Sequence, residues 1–263
     1  WFRTCIAITR LPAKRRDRPM SEIILRADTP AELRVGLAKL DIDVPLRSEG
    51  RRNHHAERYC IAHVIATLPF DRLSFPLTLT HSDKPDFLLA MPGADVGIEH
   101  TEAVPENIAR ADFLRQREGL GPDVYFTPHA LPGEPRKTAD ELRCEIADDE
   151  PGSGWWGDSP EREWAAAMAH YVKEKMPKAM AEGFARHQAN WLIVYDNWPL
   201  PAIDYTKAAS HLMPLLTDMG AFSVFDAIFV HDDSHICEFG NTPIVRALVK
   251  PSINAQSAGL THR

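Results

Sequence analysis

A chain of 263 residues with 44% hydrophobic content is long enough to bury one sizeable core, and no long polar tract marks it as disordered. No run approaches the roughly 18 consecutive apolar residues that a membrane-spanning helix needs, so the expectation is a soluble chain without a membrane partner. The formal net charge of −7 disfavours loose, non-specific binding to nucleic acid, and any such contact must rest on local basic patches.

Residues 1–19 carry Arg3, Arg10, Lys14, Arg15, Arg16 and Arg18 against the single acid Asp17. The expectation is a basic disordered leader or an upstream read-through with the functional start at Met20. Without its net +5 the remaining charge moves from −7 to −12. Cys5, Cys60, Cys144 and Cys237 lie far apart with no C-x-x-C spacing. That pattern fits reduced thiols and predicts a cytoplasmic setting.

Asn53 to Leu68 predicts a helix: Asn53 is a candidate N-cap, Ile61, Val64, Ile65 and Leu68 recur at helical spacing, and Pro69 stops it. Three strand-like pieces follow at Ser74–Thr80, Asp86–Met91 and Val96–Val104, the last two joined by a turn at Pro92–Asp95. The stretch 119–159 is rich in Gly and Pro, and Asp140 to Glu163 holds nine acids against two arginines, which predicts an inserted, partly ordered loop region. A long helix opens at Ser159 with Pro160 in its first turn, and Pro177 should kink or end it. Trp191–Tyr195 is a continuous apolar run of the kind a strand buried on both faces shows. Tyr205–Leu216 predicts another helix, Phe222–Val230 another buried strand, and the tail from Pro251 a loose end. The order implies a single α/β domain over 20–250, a mixed central sheet flanked by helices.

Hydrolase-elbow, phosphate-loop, Rossmann and H-E-x-x-H signatures are absent from the sequence. The informative run is Pro85–Val104, PDFLLAMPGADVGIEHTEAV. Strand alternation puts Gly97, Glu99 and Thr101 on one face and Val96, Ile98 and His100 on the other. The tight turn folds Asp86 back toward Glu99. Converging carboxylates repel unless protonated or bridged, and a hard cation such as Mg²⁺, or Mn²⁺, takes oxygen ligands of this kind. On the first helix, Glu57 sits amid the apolar stripe, with Ile61 at about 40° and Leu68 at about 20° from it, and so points inward. On the long helix, Lys175 falls at about 20° from Trp164 and faces the core, while Lys173 falls at about 180° and faces solvent.

P-D-F followed by G-I-E-H-T-E-A, with a helix bearing Glu57 before and a W-L-I-V-Y-D strand after, resembles the PD-(D/E)XK nuclease superfamily over roughly 52–104 and 160–197. The resemblance implies a restriction-endonuclease-like αβββαβ core. It also implies Asp86 as the motif aspartate, Glu99 as the acidic metal ligand and the backbone carbonyl of His100 as a further ligand. Glu57 matches the glutamate that many members place on the first helix. The sequence departs at Thr101, which stands where the family has its lysine. Some members move that lysine to the next helix, and Lys175 is placed for it.

The histidines near the first helix, His54, His55 and His63, fit no common zinc spacing, and His231, Asp232, Asp233 and His235 read as a solvated loop end. The leading expectation is a Mg²⁺-dependent phosphodiesterase acting on DNA or RNA, in which Lys175 or Thr101 orients the nucleophile and Arg51, Arg52 and Arg58 meet phosphates. An alternative is an inactive nuclease-like fold whose acidic loop around Asp148–Asp158, with Trp155 and Trp156 exposed, binds a protein partner. A third is an unrelated α/β enzyme acting on a small molecule.

Overall fold

A strand made only of Trp191, Leu192, Ile193, Val194 and Tyr195 has no polar face to offer water, so it must lie inside a sheet covered on both sides. It does so as the core of β5 (Ala189–Asp196), six of whose eight residues are buried. The computed structural model describes residues 21–252, Pro128 excepted. The expected basic leader, the start at Met20 and the tail beyond Ser252 lie outside the described residues.

Before β5 come β1 (Glu22–Ala27), β2 (Leu77–His81), β3 (Phe87–Met91) and β4 (Ala94–Ala103). After it come β6 (Ala227–His231), β7 (His235–Phe239) and β8 (Ile244–Ala247). The eight strands form one mixed sheet in sequence order. β1 to β4 run antiparallel, β4, β5 and β6 parallel, and β6 to β8 antiparallel again. The described residues form six α-helices: α1 (Pro30–Leu37), α2 (Asn53–Thr67), α3 (Glu106–Glu118), α4 (Ala139–Asp148), α5 (Ser159–Ala179) and α6 (Tyr205–Asp218). None of them is long and apolar enough to cross a membrane.

The helices cover the sheet from both sides. Ile61, Val64 and Ile65 of α2 pack with Leu33 of α1 against Leu79, Phe87, Leu89 and Ile98. Trp164, Met168 and Val172 of α5 and Leu212 and Leu216 of α6 pack against Leu192, Val194 and Ile228 on the other face. Each large apolar side chain buried in this way contributes about 1.5–3 kcal/mol.

Several elements differ from the sequence expectation. α2 begins at Asn53 itself, with Arg52 in the capping position, and the expected strand at Phe222–Val230 is shortened to β6 by a 3₁₀ turn at Ala221–Ser223. Pro177 lies inside α5, which ends two residues later at Ala179. The stretch 119–159 is not all loop, because α4 forms within it. Thr138 Oγ1 accepts from the Glu141 N–H at 3.2 Å while Glu141 Oε2 accepts from the Thr138 N–H at 2.6 Å, a reciprocal cap. Leu142 and Ile146, four residues apart, then bury against Leu114 of α3 in a small core of their own. Asp140, Glu141, Glu145 and Asp148 of α4 are exposed.

Candidate active site

The β3–β4 hairpin turns at Gly93, whose φ of 76° is one that glycine adopts without strain. Its register pairs Phe87 with Ile98 and Leu88 with Gly97. Carried one step further, the same register sets Asp86 opposite Glu99, both on the α5 side of the sheet. The His100 N–H donates to Asp86 Oδ2 at 2.7 Å, fixing the carboxylate just beyond the end of β3. In a strand the N–H and C=O of one residue share an edge, so the His100 carbonyl lies on the same edge as Asp86.

Glu99 is 6% exposed, and Lys175 Nζ reaches down from α5 to its Oε2 at 2.9 Å. Lys173, two residues earlier, is exposed. Asp86, Glu99 and Lys175 therefore meet on one face. Burial, and after it the Glu99 charge, pushes the Asp86 carboxyl up to about 7, against the opposing pull of the His100 N–H and the Lys175 ammonium. Thr101 shares the face of Glu99 but makes no side-chain hydrogen bond among the described residues.

Glu57 turns inward as its helical phase requires, yet its neighbour is a residue the sequence reading did not consider. His81 Nε2 lies 2.9 Å from Glu57 Oε2 on the α2 side of the sheet, and Glu57 bonds neither carboxylate. Its charge is the smallest of the contributions that raise Asp86. The His100 ring faces α2, away from Glu99, with Nε2 buried and unpartnered. Burial and the Lys175 charge push its imidazole down to about 3.

Gly97 makes room for this arrangement. A Cβ at that position would lie 2.7 Å from His187 Cδ2 and 3.0 Å from Cγ of Pro85, the residue before Asp86. Gly97→Ala should therefore cost about 1–3 kcal/mol through overpacking. Differential scanning calorimetry should show a melting temperature lower by several degrees; an unchanged one would mean that His187 moves aside freely.

Asp233 lies in an exposed turn, as expected of a loop end, but His231 before it does not share that exposure. His231 is fully buried at 0% exposure with both ring nitrogens unpartnered. Its ring centroid lies 5.4 Å from those of His63 and Tyr195. Asp233 accepts from the Tyr59 hydroxyl at 2.9 Å and the Tyr195 hydroxyl at 3.3 Å. Burial, then the His63 ring, pushes the His231 imidazole down to about 4. A histidine that stays neutral when folded but protonates near 6.5 when unfolded contributes its full stability above 6.5 and loses it as the pH falls toward 4. At about 1.4 kcal/mol per pH unit, that amounts to about 3 kcal/mol across the window. The difference in unfolding free energy between the wild type and His231→Phe should shift by that amount between pH 7 and pH 4, and a pH-independent difference would contradict it.

Elsewhere, Arg47 and Arg51 both donate to Glu102 Oε1, at 2.6 and 2.9 Å, and Asn197 joins them at 2.7 Å. Arg58 pairs with Glu22 at 2.8 Å. Of the three arginines expected to meet phosphates, only Arg52 is exposed and without an ion pair among the described residues. Trp156 is 82% exposed, whereas Trp155 stacks on His129 and donates to Glu163 at 2.9 Å. A cavity of about 490 Å³ between α3, α4 and the segment around Tyr125 is lined by neither Glu57, Asp86 nor Glu99. Among the described residues no group of three or more His, Cys, Asp or Glu side chains is arranged to hold a metal ion. The chain matches no protein-family model, no curated protein and no solved structure.

Proposed function

We propose that this chain is a Mg²⁺-dependent phosphodiesterase acting on nucleic acid, with α2, β2, β3, β4, α5 and β5 as a restriction-endonuclease-like αβββαβ core. The observation that carries the reading is the Lys175 ammonium 2.9 Å from Glu99, beside Asp86. A lysine delivered by α5, the third helix after β4, takes the place that Thr101 leaves without charge.

The residues fit a hard divalent cation. Asp86, Glu99 and the His100 carbonyl offer only oxygen donors, and Mg²⁺ is content with one or two carboxylates and several waters. Burial first and the Glu99 charge second raise the Asp86 carboxyl, and a bound cation would favour its ionised form. When bound, Mg²⁺ supplies Lewis acidity, lowering the pKa of a water and offsetting charge on a phosphoryl group. The chain's own groups do the rest. The His100 N–H orients Asp86, the Lys175 ammonium is positioned to stabilise an attacking hydroxide or a phosphate oxygen, and α5 keeps the Glu99 side of the site dry.

The test is incubation of the purified chain with plasmid DNA, single-stranded DNA and RNA, with Mg²⁺ or Mn²⁺ and with chelator. Metal-dependent cleavage that Asp86→Ala abolishes supports the reading, and no cleavage of any substrate overturns it. A second reading, a nuclease-like fold serving as a protein-interaction module, is favoured by one observation. Phe126, Leu131 and Trp156 are 54%, 70% and 82% exposed in the Gly- and Pro-rich stretch 119–159.

A further inference from the structure

Four arginines line a cleft of about 330 Å³ at the start of α2: Arg47, Arg51, Arg52 and Arg110. Two carboxylates share the cleft, and both are engaged. Glu102 Oε1 accepts from Arg47, Arg51 and Asn197, while Glu106 pairs with Arg136 at 3.1 Å. The Arg110 guanidinium donates to a backbone oxygen, that of Lys137, and Arg52 has no ion-pair partner among the described residues. Two guanidinium charges thus remain without a counter-charge in a concave, partly dry place. The first turn of α2, which opens onto the cleft through Asn53 and Ala56, contains no acid that offsets its positive end.

We infer that this cleft binds a phosphate of a nucleic-acid strand, an inference that rests on the function proposed above. Planar guanidinium groups with free N–H donors suit an oxyanion such as a phosphate better than a neutral ligand. Glu102 follows Glu99 by three residues, about 10 Å along β4, and strand alternation turns the two to opposite faces, so the cleft lies on the α2 side of the sheet and the carboxylate pair on the α5 side.

The test is fluorescence anisotropy of a labelled 15-nucleotide single strand with the full chain in chelator, from 50 to 200 mM salt, with inorganic pyrophosphate as competitor. Arg52→Ala should raise Kd about tenfold and flatten the slope of log affinity against log salt by about 0.7–1, while Arg143→Ala, on the remote α4, should change neither. Equal affinity and slope in wild type and Arg52→Ala, or no strand binding by the wild type, would overturn the inference. Loss of pyrophosphate competition in Arg52→Ala with unaltered strand binding would also overturn it, since the cleft would then hold only a free anion. A wild type that binds through Arg52 yet cleaves nothing with Mg²⁺ or Mn²⁺ keeps the phosphate cleft and removes the phosphodiesterase. Metal-dependent cleavage with unchanged binding in Arg52→Ala does the reverse.

Discussion

Lys175→Ala should abolish metal-dependent cleavage of nucleic acid, with a rate loss of at least about 10²-fold, because it removes the one ammonium beside the two carboxylates. Lys173→Ala, altering an exposed side chain on the same helix, should leave the rate unchanged. The Lys175 side chain is 17% exposed and that of Glu99 8%, so the substitution also leaves a largely buried carboxylate unpaired. Truncating one member of such a pair costs about 3–5 kcal/mol, which could mask a catalytic effect as simple unfolding. A thermal melt of Lys175→Ala separates the two: a cooperative transition above the assay temperature together with no cleavage places the loss in the chemistry. Wild-type rates in Lys175→Ala would remove Lys175 from the mechanism.

Asp86→Asn should eliminate Mg²⁺ binding measured by calorimetry. In the wild type the affinity should fall about tenfold per pH unit below 7, since a carboxyl raised to about 7 must give up its proton before it can serve as a ligand. The same shift has an opposite signature in chelator. A carboxyl whose pKa is about 7 when folded and near 3.8 when unfolded destabilises the metal-free fold fully above pH 7, and the penalty shrinks as the pH falls toward 4. Asp86→Asn should therefore melt above the wild type at pH 8 without metal, with the gap closing at pH 5. A variant that melts lower than the wild type at pH 8 would show that the carboxylate is structurally needed rather than strained.

The parts legible in the sequence are those whose signal is local. Helical spacing of Ile61, Val64 and Ile65 gives α2, the apolar run gives β5, and alternation around Gly97 and Glu99 gives the face of β4. The inward phase of Lys175 follows from 3.6-residue periodicity alone. β1 is short and half exposed, and α3 buries only Asn107 and Leu114, so neither carries a pattern strong enough to read. The cap that starts α4 was present as Thr138 and Glu141, but the acid-rich composition around it outweighed a three-residue spacing. Glu57 shows the limit of periodicity, which gave its direction but not His81 as its partner, because that contact depends on how α2 lies across β2. Arg47 and Glu102 are 55 positions apart, and nothing in either neighbourhood announces the other.

The sheet places every strand beside its neighbours in the chain, and β4 meets β5 across the longest connection between consecutive strands. That seam makes the molecule divisible. A chain cut after α4 would yield one fragment carrying Asp86, Glu99 and the arginine cleft and another carrying Lys175 on α5. Each fragment keeps a contiguous four-stranded half of the sheet, yet neither holds a complete set of reacting groups. Activity would then report reunion of the halves along the parallel β4–β5 edge, a built-in two-fragment complementation system.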